Sequence, residues 1–277
     1  MTYKCFKLTI ADNIAHIQLN RPEKRNAMIK EFWSELPEAV KKIDDEALAR
    51  VIVISSTGPI FSAGIDISML SSVGGSPDKN RATYGAEFYT TVKGLQESFT
   101  TLENCRIPVL AAIQGGCIGA GLDLITACDM RYGTDDSYIT IYEINVGMTA
   151  DVGTFPRILN HLPEGIVREL AYTGRKMGAA ECVSRGLYNG VYPTQEAMMD
   201  GVMQTAKTIA SKPPLAVYGC KHMITYGRDH STQDALDYVG VWNMSMLLPS
   251  EMMEAMQSMG QKRVGKFADL PSKTPKK

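Results

Sequence analysis

Cysteine is scarce in this chain, and its few thiols are scattered along the sequence. None of them forms a CxxC pair or has a histidine at the spacing of a zinc site, which argues against a structural metal. We therefore expect no metal and predict reduced thiols in an intracellular compartment. The six residues are Cys5, Cys105, Cys117, Cys128, Cys182 and Cys220.

Excess charge and long apolar runs are also missing. With 29 basic and 30 acidic residues the formal net charge is −1, so no overall field attracts nucleic acid or an anionic membrane. No apolar run approaches the roughly 18 residues of a membrane span, and the first residues, MTYKCFKLTI, lack a signal or transit pattern. The last residues, TPKK, are not a peroxisomal SKL-type tripeptide. The sequence contains no GxSxG motif, which disfavours a serine hydrolase.

Hydrophobic residues make up 44% of the 277 positions, which is enough to bury a substantial core. Strands alternate with helices in the first half, which indicates an α/β arrangement, and beyond about residue 160 the pattern is almost wholly helical. We predict an α/β core over 1–200 and a helical region over 201–277 in the same structural unit. Strands are predicted at 13–19, 51–56, 108–114 and 138–143, helices at 29–43 (kinked at Pro37) and 86–105, and a long mobile loop at 71–83.

Two small-residue turns follow buried strands. FSAGID (61–66) comes after VIVISS, and GGCIGAGLD (115–123) comes after PVLAAIQ. Such turns expose backbone N–H groups, and a helix that starts just beyond adds its dipole to the attraction for an oxygen that gains negative charge. Together the two turns predict an oxyanion hole.

Three carboxylates lie near these turns in the sequence. Asp123 closes the second turn, Glu143 ends the predicted strand YITIYE, and Asp151 lies in the apolar loop INVGMTADVGT. Each also has a structural interpretation that the pattern leaves open. Asp123 is placed to cap or pair near a helix start, Glu143 to be a solvated strand end, and Asp151 to cap a helix that starts at TFPRIL.

Two further aspartates are predicted to be structural. Asp66 follows FSAGI at the position of a helix cap, and Asp129 precedes Arg131 in CDMRY, where the two side chains can pair.

The motifs FSAGID, GGCIGAGLDLITACDMRY and YEINVG, in this order and spacing, resemble the enoyl-CoA hydratase/isomerase (crotonase) superfamily. LNRPEKRNAM is similar to its N-terminal motif, and the match runs over nearly the whole chain. The resemblance implies a crotonase-like fold of repeated ββα units with a helical trimerisation region. It also implies an acyl-coenzyme A thioester as ligand, a homotrimer or a hexamer made of two trimers, and a peroxisomal or mitochondrial location.

The resemblance also assigns binding residues. It places the oxyanion-hole N–H groups on Ala63 and on Ala120, where the superfamily usually has glycine. Lys24 and Arg25 are candidates for the phosphates of coenzyme A. Further residues implied to line the CoA or acyl site are Ile65, Asp66, Gly116 and Met148. No cofactor is expected, since coenzyme A is part of the substrate.

The carboxylate pattern indicates the branch of the superfamily. A typical hydratase carries glutamates at positions 123 and 143 and glycine at 151, whereas this chain has Asp123, Glu143 and Asp151. With ADVGT and WNMSML, this pattern resembles Δ3,5-Δ2,4-dienoyl-CoA isomerases of fatty-acid β-oxidation. The resemblance implies Asp151 as the base at C2 and Glu143 as the acid near C6, with Asp123 orienting the acyl chain or its neighbours.

Several other functions stay open at this point. The nearest are an enoyl-CoA hydratase and a Δ3-Δ2-enoyl-CoA isomerase, for which Asp151 would not be needed. A thioesterase or dehalogenase on the same fold is a further alternative. A non-catalytic acyl-CoA-binding or RNA-binding homologue is disfavoured, because all three carboxylates and both turns are retained and the charge is balanced.

Overall fold

A computed structural model describes residues 2–70 and 80–273. Its strands form a six-stranded sheet in the order β1-β2-β3-β4-β6-β9 and a three-stranded sheet in the order β5-β7-β8. In the large sheet β1 and β2 are antiparallel and the other neighbours are parallel. The strands are β1 (Phe6–Ala11), β2 (Ile14–Leu19), β3 (Val51–Ser56), β4 (Val109–Ile113), β5 (Gly116–Ile118), β6 (Met130–Thr134), β7 (Tyr138–Thr140), β8 (Met177–Gly178) and β9 (Gly190–Tyr192).

Helices cover both faces of the large sheet and dominate the second half of the chain. They are α1 (Phe32–Asp45), α2 (Ile67–Leu70), α3 (Arg81–Asn104), α4 (Ala120–Thr126), α5 (Thr154–Ile158), α6 (Glu164–Thr173), α7 (Ala179–Ser184), α8 (Gln195–Ala210), α9 (Pro214–Tyr226), α10 (Thr232–Met246) and α11 (Pro249–Gly260). Short 3-10 helices span Pro22–Lys24 and Glu143–Val146. The predicted α/β class is confirmed.

Alternate residues of the buried strand β3 pack in two separate hydrophobic cores. Ile52 and Ile54 pack in the larger core, which also takes in side chains of α1 and α3. Val51 and Val53 point to the opposite face, where they pack with side chains of α8. A strand covered on both faces explains the continuous β-branched run VIVISS.

Several predicted boundaries need correction. The strand that starts at Tyr138 ends at Thr140, so Glu143 does not end a strand but begins a 3-10 helix. Strand β1 is missing from the predicted strands, and in the structure it buries only Phe6 of its six residues. Helix α3 begins at Arg81 rather than at 86, because Oδ1 of Asn80 caps it by accepting the N–H of Thr83 at 2.9 Å. Residues 71–79 of the predicted loop lie outside the described residues.

The predicted pairing of Asp129 with Arg131 is wrong. Oδ2 of Asp129 lies 2.9 Å from Nζ of Lys221 on α9, and it also accepts the N–H of Val109 at 2.7 Å. The Arg131 guanidinium instead donates to backbone carbonyls, including those of Leu187 and Cys128. The pair of Asp129 and Lys221 therefore joins helix α9 to the large sheet.

The helices also bear on membrane placement. Over residues 2–70 and 80–273, no helix is both long and apolar enough to cross a bilayer.

Loss of the buried ammonium of Lys221 is expected to destabilise the fold. This side chain is buried, and besides pairing with Asp129 it donates to the carbonyls of Leu102 and Ile107. Lys221→Met removes the ammonium partner of the Asp129 carboxylate and a donor to two carbonyls, and it should lower the free energy of unfolding by about 3 kcal/mol. Urea denaturation measures the change, with Lys207→Met on the exposed face of α8 as the control. Equal midpoints for the two variants would contradict this role of Lys221.

Candidate active site

The two small-residue turns lie side by side. Ser62 and Cys117 form a parallel bridge, in which Ser62 N donates to Gly116 O at 3.2 Å and Ile118 N donates to Ser62 O at 3.0 Å. Gly64 adopts a φ of +86°, and a methyl group at this position would lie 2.7 Å from Ile118 O. Glycine at 64 is what allows the first turn to lie directly against the second.

The N–H of Ala63 is not free, in contrast to its predicted role in an oxyanion hole. It donates to the backbone O of Arg25 at 2.9 Å. The next N–H, that of Gly64, donates to Oγ of Ser62 at 3.1 Å. These two donors serve to hold the turn in shape.

Ile65 carries the unpaired donor of the first turn. It forms a parallel bridge with Met28, but that bridge uses the O of Gly64 and the N–H of Asp66. The N–H of Ile65 points away from the bridge and finds no acceptor among the described residues. The sequence implies Ile65 only as a lining residue, because it does not show which amides of a turn are used internally.

Ala120 carries the unpaired donor of the second turn. It is the first residue of α4, where an N–H has no partner within the helix. No other described residue accepts it. A methyl group on Gly64 would lie 3.2 Å from this nitrogen, so the N–H of Ala120 lies next to the first turn. The predicted donor at Ala120 therefore remains available.

The three predicted carboxylates come together around these turns. Asp123 on α4 is 1% exposed. Glu143 starts its 3-10 helix with Oε1 close over the second turn, since a methyl group on Gly119 would lie 3.1 Å from that oxygen. The other oxygen, Oε2, is buried and has no hydrogen-bond partner within residues 2–70 and 80–273. Asp151 is half-buried in the loop before α5.

Burial raises the pKa of all three carboxyl groups, and repulsion from a neighbouring carboxylate adds to the shift of Asp123 and Glu143. Burial, followed by the charge of Glu143, raises the pKa of Asp123 to about 7. Burial and then the charge of Asp151 raise the pKa of Glu143. Burial raises the pKa of Asp151. The site can therefore hold a proton on one carboxyl while another is ionised, which is the division that acid/base chemistry needs.

The structural interpretations left open by the sequence have different outcomes. Asp123 does serve a helix start, because its Oδ1 accepts the N–H of Thr154, the first residue of α5, at 2.5 Å. Asp151 does not cap that helix, whose N-cap is Gly153 without a side-chain bond. Asp66 has the predicted capping role, since its Oδ1 accepts the N–H of Ser68 at 3.0 Å in α2.

The remaining predicted residues surround the two turns. The exposed Lys24 and Arg25 follow one another at the end of the first 3-10 helix, and Arg25 touches the first turn through its carbonyl. Gly116 is buried in β5, beside Ser62. Met148 is half-buried just after the second 3-10 helix, where its N–H donates to Glu143 O at 3.0 Å.

Comparison with known proteins identifies relatives over most of the chain. The family model for enoyl-CoA hydratase/isomerase matches residues 9–266. A rat protein named mitochondrial Delta(3,5)-Delta(2,4)-dienoyl-CoA isomerase is 41% identical over 95% of this chain and 82% of its own length. The human protein of that name is 41% identical over 93% of this chain and 79% of its own length. An Arabidopsis thaliana protein named as the peroxisomal isomerase is 35% identical over 97% and 98%.

Solved structures show the same fold. An enoyl-CoA hydratase from Bacillus anthracis superposes with a TM-score of 0.86 at 24% identity, covering 95% of this chain and 99% of that one. A probable enoyl-CoA hydratase/isomerase from Mycobacterium abscessus gives a TM-score of 0.84 at 26% identity, covering 97% and 100%. The predicted crotonase-like fold is confirmed.

Stability is expected to fall as pH rises through the range in which Asp123 titrates. Because its folded-state pKa of about 7 exceeds the ordinary value, the folded protein holds this proton more tightly than the unfolded chain. The stabilisation is complete below about pH 4 and is lost by about pH 7. Asp123→Asn keeps an acceptor for the N–H of Thr154 and removes the charge. It should therefore be more stable than the parent at pH 8 by roughly 2 to 4 kcal/mol.

Urea denaturation of the parent and the Asp123→Asn variant between pH 5 and pH 8 measures this difference. The exposed Asp200→Asn serves as the control for loss of one negative charge. A gap between parent and Asp123→Asn that stays constant with pH would show that Asp123 is ionised throughout the range.

Proposed function

The chain belongs to the enoyl-CoA hydratase/isomerase family, and we propose that it is a Δ3,5-Δ2,4-dienoyl-CoA isomerase of fatty-acid β-oxidation. The proposal rests on the presence of Asp151 in this site. It supplies a third carboxylate, beside Asp123 and Glu143, in a chain 41% identical to proteins named for this reaction. The resemblance noted in the sequence to this branch of the family is thus confirmed by its relatives.

The unpaired N–H groups of Ile65 and Ala120 are proposed to hold the thioester oxygen. Loss of a proton from C2 leaves a dienolate whose negative charge rests largely on that oxygen. Two donors that are already oriented stabilise this charge without reorganisation, and the dipole of α4 behind Ala120 adds to the effect. Ile65 replaces Ala63 in this assignment, because the N–H of Ala63 is bonded to Arg25.

Asp151 and Glu143 are proposed to move the protons. The substrate has double bonds at C3=C4 and C5=C6, and the product has them at C2=C3 and C4=C5. The ionised Asp151 takes a proton from C2, and Glu143 in its protonated form gives one to C6. The buried Oε2 of Glu143, which has no hydrogen-bond partner among the described residues, supports this role. The cycle closes when the proton on Asp151 returns to Glu143, directly or through water.

Asp123 is proposed to act on the arrangement of the site rather than on the substrate. Its Oδ1 is used by the N–H of Thr154. Burial and then the charges of Glu143 and Asp151 raise the pKa of its carboxyl, so Asp123 is the group of the three that holds a proton most readily.

Coenzyme A is part of the proposed substrate, and the proposed reaction needs no other cofactor. The exposed side chains of Lys24 and Arg25 adjoin the first turn and are proposed to meet its phosphates. Ile65, Asp66, Gly116 and Met148 are proposed to surround the pantetheine end and the acyl chain. The names of the relatives favour a mitochondrial or peroxisomal location.

Substitution of Asp151 should abolish the isomerisation. Mixing the protein with a 3,5-dienoyl-CoA is expected to produce the longer-wavelength ultraviolet absorption of the conjugated 2,4-dienoyl thioester. Asp151→Asn removes the base and should lower kcat by at least about 10³-fold, as should Glu143→Gln, whereas the exposed Asp200→Asn should be unaffected.

A parallel assay with a trans-2-enoyl-CoA separates this activity from hydration. Hydration without any change of the dienoyl substrate would show that the chain is a hydratase. Isomerisation that survives Asp151→Asn would remove Asp151 from the mechanism and leave the function in place.

The exposed apolar residues of α10 and α11 are proposed to form the interface of a homotrimer, which two copies can extend to a hexamer. Met244 is 81% exposed and Met259 is 77% exposed, and Met253 and Met256 are more than half exposed. Met253, Met256 and Met259 recur every three residues on one face of α11, and an exposed apolar patch of this kind is typical of an interaction surface. Sedimentation should show three or six chains at micromolar concentration, and Met244→Glu should shift the protein towards the monomer. A monomeric parent would contradict the proposal, and Ile10→Lys on β1 is the control.

A further inference from the structure

Helix α3 presents a row of polar side chains to the loop that carries Asp151. Gln96, Thr100 and Glu103 are four and three residues apart, so they lie on one face of the helix. Nε2 of Gln96 donates to the backbone O of Asp151 at 2.7 Å. Further along the row, Arg157 donates through Nη2 to Oγ1 of Thr100 and through Nε to Oε2 of Glu103, both at 3.0 Å.

Arg157 extends this contact to the middle of the loop. Its side chain is buried beneath Gly153, where a methyl group would collide with Nη1. Gly153 has a φ of +131°, a conformation that favours glycine. On the other side, Asp123 holds the N–H of Thr154. The segment from Asp151 to Thr154 is thus fastened to α3 on one side and to α4 on the other.

The amide of Gln96 has a fixed orientation. Its Oε1 accepts from Nζ of Lys93 at 3.0 Å. An ammonium group can only donate, so the oxygen of the amide must face it and the NH₂ group must face the loop. Helix α3 therefore presents the NH₂ group of Gln96 to Asp151 O.

We propose that Gln96 is a positioning residue for the carboxylate of Asp151. This inference rests on the proposed function, in which Asp151 is the base. By holding the carbonyl of Asp151, Gln96 fixes the direction in which the side chain leaves the backbone. A shift of about 1 Å at a reacting group is enough to cost about 10²-fold in rate.

Substitution of Gln96 should lower kcat without weakening substrate binding. Gln96→Met has nearly the same shape and no donor, and kcat for a 3,5-dienoyl-CoA is expected to fall about 10- to 100-fold while KM stays within about twofold. Gln204→Met, the same change on the exposed face of α8, should leave both constants unchanged. The exchanged pair Lys93→Gln with Gln96→Lys keeps the charge and a donor, and it should recover most of the lost kcat.

Hydrogen exchange tests whether Gln96 holds the loop of Asp151 in place, independently of catalytic activity. In Gln96→Met the amides of residues 150–154 should exchange about tenfold faster than in the parent, whereas in Gln204→Met they should not. Unchanged exchange with kcat within twofold of the parent would overturn the role of Gln96. A fall in kcat that the exchanged pair fails to recover would also overturn it.

A parent protein without isomerase activity would overturn the proposed function. In that case the exchange measurement alone decides whether Gln96 holds the loop.

Discussion

The site must hold three carboxyl groups close together where little water screens their repulsion, and the other features of the structure depend on this constraint. Asp123, Glu143 and Asp151 come from a helix, a 3-10 helix and a loop, and burial raises the pKa of each. Left to themselves, such groups would move apart or draw in water. They stay together because the segments that carry them are fixed by bonds made elsewhere, such as the one from Gln96 to the Asp151 carbonyl.

The opposite polarity is supplied by the backbone. Ile65 and Ala120 leave their N–H groups unpaired because the neighbouring amides satisfy the internal bonds of the turns. These N–H groups can stabilise an oxygen that gains negative charge during the reaction, even though carboxyl groups lie nearby. The large, mostly parallel sheet and its two cores hold these turns at fixed positions after β3 and β4.

The sequence was informative where local chemistry determines the structure. The run VIVISS predicted a strand buried on both faces, and the motifs around Asp123, Glu143 and Asp151 placed three carboxylates near two turns. It could not show that Ala63 is bonded to Arg25 while Ile65 is free, since that depends on which strands pair with a turn. Nor could it show that Asp129 pairs with Lys221, 92 residues away in the chain, rather than with nearby Arg131, since that depends on where helix α9 packs. The contact of Gln96 with Asp151 spans 55 residues and leaves no local signal.

The bond between Asp123 and Thr154 has an evolutionary consequence. The resemblance places glutamate at position 123 in typical hydratases, where a carboxylate holds the reacting water. In this chain Asp123 instead accepts the N–H of Thr154 at the start of helix α5, at a distance of 2.5 Å that leaves no room for one more methylene. A change to glutamate would push the start of that helix, and with it the base two residues before Gly153. A change of chemistry at position 123 would therefore act on the backbone of the 150–154 segment as well as on one side chain.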